Sequence, residues 1–433
     1  MERFPGYTLV RTEDCPEQHG TLTVLTHDVS GATVLLVENE DTNKAFGIGF
    51  GTFPSDDTGV FHILEHSVLA GSEKYPVTSP FLQLLKSSMA SFLNAMTFPD
   101  KTVYPFATPN ETDFKNLMDV YLNAVFCPLA MVDKSVFEQE GWHRSADGTV
   151  SGVVYNEMQG ALAAPDAQLE NALERAMFPD TVYGFVSGGD PASIPALTYE
   201  KYKRVYHRHY SADNCCITLY GKMDMAEKLE LLDRDYLSKS AQGHQPSAAD
   251  RAARAGGCLR GTALLYRKPR EPDEVQCALA WYTGAFADRE RQLGVEILLD
   301  ALLGTNNSPL KAALLAEKLG ADIDIGFDDS TLQPVLELVL RGATEESARK
   351  FAAAVRKAVD GILAEGIPQE LLLASLNAAE FASLERPGTL PDGVLDAINA
   401  STGWLHTGDP ALLLHTDRLF ASLRENDGRW LVR

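Results

Sequence analysis

The chain opens on short apolar runs broken by turn residues. TLTVLTHDVS, GATVLLVENE and KAFGIGFGTF place β-branched and aromatic side chains between Asn, Asp, Ser and Gly, the pattern of strands joined as hairpins. The period then changes. GVFHILEHSVLAG spaces its apolar residues as a helix and stops at Gly71, and the two prolines of SEKYPVTSP forbid its continuation. PFLQLLKSSMASFL predicts a second helix with Pro80 at its first position. KTVYPFAT reads as a strand, and ETDFKNLMDVYLNAVF as an amphipathic helix closed by Cys127 and Pro128. This is an α+β order, not the regular alternation of a doubly wound sheet.

From Ser238 to Gly257 the chain is rich in Ala, Ser and Gly and lacks apolar periodicity, which predicts a linker. Beyond it the pattern restarts. Strand-like GTALLYRK and VQCALAWYTG precede helical LGVEILLDALLG and SPLKAALLAEKLGADIDIGF, then strand-like PVLELVLRG and helical TEESARKFAAAVRKAVDGILAEG. LGVEILLDALLG takes the place of GVFHILEHSVLAG, and SPLKAALLAEKLGADID that of SPFLQLLKSSMASFLNAMT. A period of about 230 residues is too long for a solenoid and means two copies of one domain. The expected organisation is a first domain over residues 1–240, a linker over 238–257 and a second homologous domain over 258–433. In the second copy Glu296, Leu299 and Asp300 stand where His62, Glu65 and His66 stand in the first, so the fold is repeated without these side chains.

Composition narrows the classes. With 45% hydrophobic and 23% charged residues the chain can build packed cores, and its 433 residues suit two to four domains of about 100–200 residues each. The formal net charge of -22 repels a polyanion, which argues against a nucleic-acid partner, and attracts cationic ones. Six cysteines without CxxC or regular spacing indicate neither a disulfide framework nor a thiolate zinc site. No stretch approaches the ~18 apolar residues of a membrane span and the N-terminus has no signal-peptide pattern, so the expected location is the cytoplasm, away from membranes.

The chemistry concentrates in HILEH. Residues i and i+4 of a helix lie one above the other, so His62 and His66 can aim ring nitrogens at one point, as two zinc ligands would. Glu65 shares the face on the neighbouring ridge, where its carboxylate can activate water at the metal as general base. HxxEH is the reverse of HExxH and supplies the same three groups. A catalytic zinc needs a third ligand. Glu157, in GVVYNEMQGAL, sits on a predicted helix and is the choice, whereas Glu138 and Glu140 in VFEQEGWH read as a charged surface. His143, His207 and His209 read as a capping or surface cluster.

GVFHILEHSVLAGSEKYPVTSPF, SFLNAMTFPDKTVYPFAT, FEQEGWH, GVVYNEMQGA and VSGGDPASIPALTYEKYK together resemble the M16 peptidases, and among them the presequence-protease branch. The resemblance covers nearly all of residues 40–222, and more weakly the second half. It implies the M16 (LuxS/MPP-like) fold, two homologous domains each with a mostly antiparallel sheet packed with helices. It also implies zinc held by His62, His66 and Glu157, water activated by Glu65, and an edge strand at Asn94 and Ala95 that pairs with a peptide. Residues alone would make SFLNAMT a helix end with Asn94 as C-cap. Full-length relatives of this kind are two such halves, the distal one supplying an Arg and a Tyr to the scissile carbonyl, and this chain corresponds to about one half. The expected activity is zinc-dependent endopeptidase hydrolysis of unfolded oligopeptides. The expected partners are a C-terminal half, a separate chain or a second copy. The competing expectation is a non-catalytic peptide-binding or assembly subunit that needs a partner half.

Overall fold

The structure is a computed structural model that describes residues 4–77, 80–179, 181–239, 262–267, 275–386 and 388–425. The expected linker lies outside the described residues beyond Lys239. Among those described, no helix is long and apolar enough to cross a membrane.

In chain order the first half runs β1 (Tyr7–Cys15), β2 (Gly20–His27), β3 (Thr33–Glu38), β4 (Lys44–Gly51), α1 (Val60–Val68), α2 (Pro80–Ser87), β5 (Phe92–Leu93), β6 (Met96–Thr97), β7 (Lys101–Thr108), α3 (Glu111–Phe126) and α4 (Lys134–Glu140). A small hairpin of β8 (His143–Arg144) and β9 (Val150–Ser151) leads to α5 (Val153–Ala161), α6 (Pro165–Met177), α7 (Tyr199–His209), β10 (Cys215–Tyr220) and α8 (Met225–Leu231). The main sheet has the order β1-β2-β3-β10-β4-β7-β5, with β6 also on β7. Every pairing in it is antiparallel except β10 with β3. The hairpin expectation is met by β2 with β3, but β10 separates β3 from β4.

The predicted second helix is shorter than its apolar pattern. It ends at Ser87, and Phe92 and Leu93 pair with Ala107 and Phe106 of β7. The run from β5 to β6 keeps one register against β7, because Met96 faces Val103 and Thr97 faces Thr102. Asn94 and Ala95 therefore sit mid-way along an outer strand, not at a helix C-cap. The ladder lapses there because Pro105 stands opposite Asn94. The Asn94 amide still donates to the Pro105 carbonyl (3.3 Å), but proline has no N–H to return, and the Tyr121 hydroxyl donates to the Asn94 carbonyl instead (3.3 Å).

The described residues fall into two compact units. The first draws on Met1–Ala161, Phe185–Ala253 and Gly388–His415, the second on Leu162–Gly184, Arg254–Pro387 and Thr416–Arg433. The units differ from the expected ranges 1–240 and 258–433 in two segments, Leu162–Gly184 falling in the second unit and Gly388–His415 in the first. β4 and β7 are buried along their whole length, so both faces of the sheet need cover. One face receives the helix Asp392–Thr407, which packs on β4, β7 and β10 although it comes from the far end of the chain. The strand admits it through glycine: a Cβ on Gly47 would lie 2.5 Å from the Ala397 Cβ, and one on Gly49 2.7 Å from the Ser401 Cβ. In the other direction, α6 leaves the first copy. Its apolar stripe of Leu169, Leu173 and Met177 is buried in the second unit, where Asp166 accepts from Gln276 (2.7 Å) and pairs with Arg341 (2.7 Å).

The second unit has one antiparallel sheet, β11 (Thr262–Arg267), β12 (Val275–Tyr282), β14 (Val335–Ala343) and β13 (Asp322–Asp328), in that spatial order. Its helices Arg289–Leu303, Pro309–Ala316 and Glu345–Glu365 pack around Leu279, Leu299, Leu314, Leu338 and Phe351. With β10 removed, β3-β4-β7-β5 and β11-β12-β14-β13 have the same order, each with two helices between its second and third strands in sequence. The residues DIDIGF, grouped with a helix in the sequence reading, form β13.

Candidate metal centre

α1 starts from a left-handed Gly59 (φ 64°) and carries its chemistry on the face turned to α4 and α5. His62 and His66 lie with ring centroids 4.9 Å apart at 79°, an edge-on arrangement in which both Nε2 atoms face one point. Glu157, on α5, meets them there. Its Oε2 is 3.7 Å from His62 Nε2 and 3.6 Å from His66 Nε2, and one ligand atom from each of the three residues lies within 4.8 Å of the others. Tetrahedral bonds of about 2.0–2.1 Å to nitrogen and oxygen would set neighbouring donors ~3.4 Å apart. The donor set and spacing therefore fit zinc.

The opposite ring nitrogens are both held. His62 Nδ1 lies 3.0 Å from the Gly188 carbonyl, and His66 Nδ1 3.6 Å from Glu140 Oε2. The hydrogen bond to Gly188 fixes the His62 tautomer with the Nε2 lone pair free for a metal, and Glu140 faces His66 Nδ1 at ion-pair distance. Burial pulls the His66 pKa down, but the Glu140 contact and the charges of Glu65, Glu157 and Glu140 outweigh it and leave the net shift upward. Glu65 is buried with His62 on α1. Burial pushes up the hydroxyls of Tyr104 and Tyr210, which bond each other at 2.8 Å, and the Glu65 charge adds a smaller push. Glu157, in contrast, leaves about half of its side chain open (52%). The cluster is thus open to water on the Glu157 side, with the buried Glu65 carboxylate on the same helix as the two imidazoles.

The structure brings together all four residues chosen from sequence and adds two. Glu140 is buried against His66, which corrects its reading as charged surface. Gly141, at the end of α4, allows this: a Cβ there would sit 2.9 Å from Ile63 Cγ2 of α1. The Gly188 carbonyl is the second. Its loop is tied to the turn before α1, since Asp57 Oδ1 accepts from the Val186 amide and the Asp57 carbonyl from the Asp190 amide, both at 2.8 Å. The adjacent glycines of VSGGDP were the available signal, marking a close backbone approach. The three other histidines stay away from the centre. His143 Nδ1 bonds the Glu138 carbonyl (2.9 Å), His207 is exposed, and His209 is a core residue bonding the Gly51 carbonyl (3.2 Å), not a surface one.

Asn94 and Ala95 lie on the outer edge of the sheet. Because Asn94 bonds inward to β7, the alternation of an antiparallel ladder turns the main-chain groups of Ala95 outward. That is an open edge to which an extended peptide can add.

Comparison with known proteins gives a consistent result. The family model described as "Insulinase (Peptidase family M16)" matches residues 46–183, and "Peptidase M16 inactive domain" matches 196–378. The chain is similar to Protein HypA of Clostridium perfringens, 36% identical over 96% of this chain and 44% of that protein. It is similar to Presequence protease 1, chloroplastic/mitochondrial, of Arabidopsis thaliana, 37% identical over 94% of this chain and 38% of that protein. The chain thus spans less than half the length of these curated relatives. Among solved structures, pitrilysin matches with a TM-score of 0.68 at 16% identity, over 94% of this chain and 43% of its own. A protease from Helicobacter pylori matches with the same score at 15% identity, over 98% of this chain and 96% of its own.

Proposed function

Because the chain belongs to the M16 peptidase family, near its presequence-protease branch, we propose that it is the catalytic portion of a zinc-dependent endopeptidase acting on unfolded oligopeptides. The observation that carries this reading is the convergence of His62, His66 and Glu157 beside a buried Glu65 on the same helix. Zinc at this centre would supply a Lewis acid for the peptide carbonyl and make water acidic enough to deprotonate near neutral pH. The rest falls to the chain. His62, its tautomer set by Gly188, and His66, faced by Glu140, hold the ligand geometry. Glu65 takes the proton of the attacking water and delivers it to the departing amine. The edge at Ala95 binds the substrate through its backbone, which makes recognition tolerant of side chains and dependent on an extended conformation.

Since the chain spans under half of its relatives' length, the complete active site is proposed to include a further portion, from the same protein, a separate chain or a second copy. The test is turnover of a quenched, unstructured peptide and metal content, for this chain and its Glu65→Gln variant. Equimolar zinc in both, with hydrolysis about 10²–10⁴-fold lower in the variant, is the expected result. Zinc in both with no hydrolysis in either would favour the peptide-binding half that needs a partner. Absence of zinc from both would overturn the metal assignment.

A further inference from the structure

A second group of metal-type ligands lies at the opposite edge of the first sheet. β1 is the terminal strand at the end away from β5, and it finishes at Cys15. The Cys15 Sγ is 3.3 Å from Glu17 Oε2, in the turn that follows, and 3.8 Å from Nδ1 of His415, 400 residues on. We propose that Cys15, Glu17 and His415 form a separate site for a zinc-type divalent cation, one that fastens the chain after the helix Asp392–Thr407 to the edge of the sheet.

Three observations support it. First, one donor atom from each residue lies within 4.8 Å of the others, the only such group among the described residues besides the His62 centre. A tetrahedral zinc with bonds of ~2.3 Å to sulfur and ~2.0–2.1 Å to nitrogen or oxygen separates sulfur from its neighbours by ~3.6 Å, between the two spacings observed. Second, a carboxylate stands behind the imidazole. His415 Nε2 lies 3.3 Å from Glu13 Oε1, without the geometry of a hydrogen bond, and Glu13 Oε1 accepts from Arg11 Nε at 2.9 Å. Nδ1 is the ring nitrogen that faces Cys15. Third, the fold sets the sulfur in place. Cys15 is fully buried, among Leu22, Val24, Val37 and Leu414, with its Sγ turned to Glu17 and His415. A divalent cation bound there would displace the thiol proton and hold the sulfur as thiolate. Mixed thiolate, imidazole and carboxylate donors select zinc over calcium or magnesium.

Each ion bound releases the Cys15 proton to solvent, and the site links the first strand of the sheet to the residues that end the first unit. Its role is structural, distinct from the His62 centre, which contains no sulfur.

Cobalt makes the distinction measurable, because only a thiolate ligand gives sulfur-to-cobalt charge-transfer absorption. Metal-stripped chain titrated with Co²⁺ is expected to bind two equivalents, one of them carrying that band. Cys15→Ser should lose the band and one equivalent, and His62→Ala should keep the band. Because Cys15 is buried and its replacement could unfold the edge, Glu17→Gln and His415→Gln provide a second reading, with thiolate-site affinity expected to fall about 10-fold or more. No charge-transfer band in the folded wild-type chain at saturating Co²⁺, or a band that survives unchanged in Cys15→Ser, would overturn the proposal.

Discussion

His66 is the residue on which the candidate centre turns, since both of its ring nitrogens face carboxylates, Glu157 on one side and Glu140 on the other. Of the two acids only Glu157 faces His62 as well, so Glu140 acts on the centre through His66. Glu140→Gln is accordingly expected to weaken zinc binding by about 10–100-fold while leaving the fold intact, measured by competition with a chelator and by circular dichroism. Much of this constellation was legible beforehand. His62, Glu65 and His66 follow from helical geometry, and Glu157 from the need for a rigid third ligand. Glu140 was not. A carboxylate at the end of a short helix, beside Lys134 and Glu138, reads as solvated, and its burial depends on how closely Gly141 lets α4 approach α1.

Two elements owe their form to single residue types. The outer strand through Asn94 and Ala95 is interrupted on its inner side by Pro105 but open on its outer side, so substrate pairing there would use hydrogen bonds of alternate peptide groups only. Peptides N-methylated at successive positions should show an alternating pattern. KM is expected to rise about 5–10-fold where a bonded amide is blocked, near one hydrogen bond of about 1 kcal/mol, and to stay unchanged at neighbours. The helix Asp392–Thr407 depends on Gly47 and Gly49. Gly47→Val should overpack its contact with Ala397 and cost about 1–3 kcal/mol, read as a lower urea midpoint at unchanged slope. The pattern KAFGIGFG announced a strand with glycines at alternate places. It did not announce which helix those glycines admit, because the partner lies about 350 residues away and no periodicity connects them.

At the scale of the whole molecule, charge and duplication set the behaviour. In the second unit burial raises Glu174 to about 8 and Glu337 to about 7, with Glu170 and Asp328 adding repulsion. A carboxyl whose folded pKa exceeds its unfolded value favours the folded state when protonated. The stabilisation is complete below about pH 4.5 and is lost as pH rises to about 7–8. Glu174→Gln should therefore raise the Tm of this unit at pH 8.5 by about 2–4 °C and have little effect near pH 4.5, measured by calorimetry. The net charge of -22 also predicts that cationic peptides bind better than anionic ones at low salt, with the difference shrinking as the Debye length falls below ~10 Å above about 0.1 M salt. By itself, the sequence determined the two copies, their α+β order and the helix that carries His62, Glu65 and His66, because each rests on local periodicity or on residues within one turn. The tertiary structure alone decided that the copies exchange segments, with Asp392–Thr407 covering the first sheet and Pro165–Met177 joining the second. It alone also set Glu140 behind His66 and His415 beside Cys15. These are contacts between distant parts of the chain, chosen by which buried faces need cover, and local spacing carries no record of that choice.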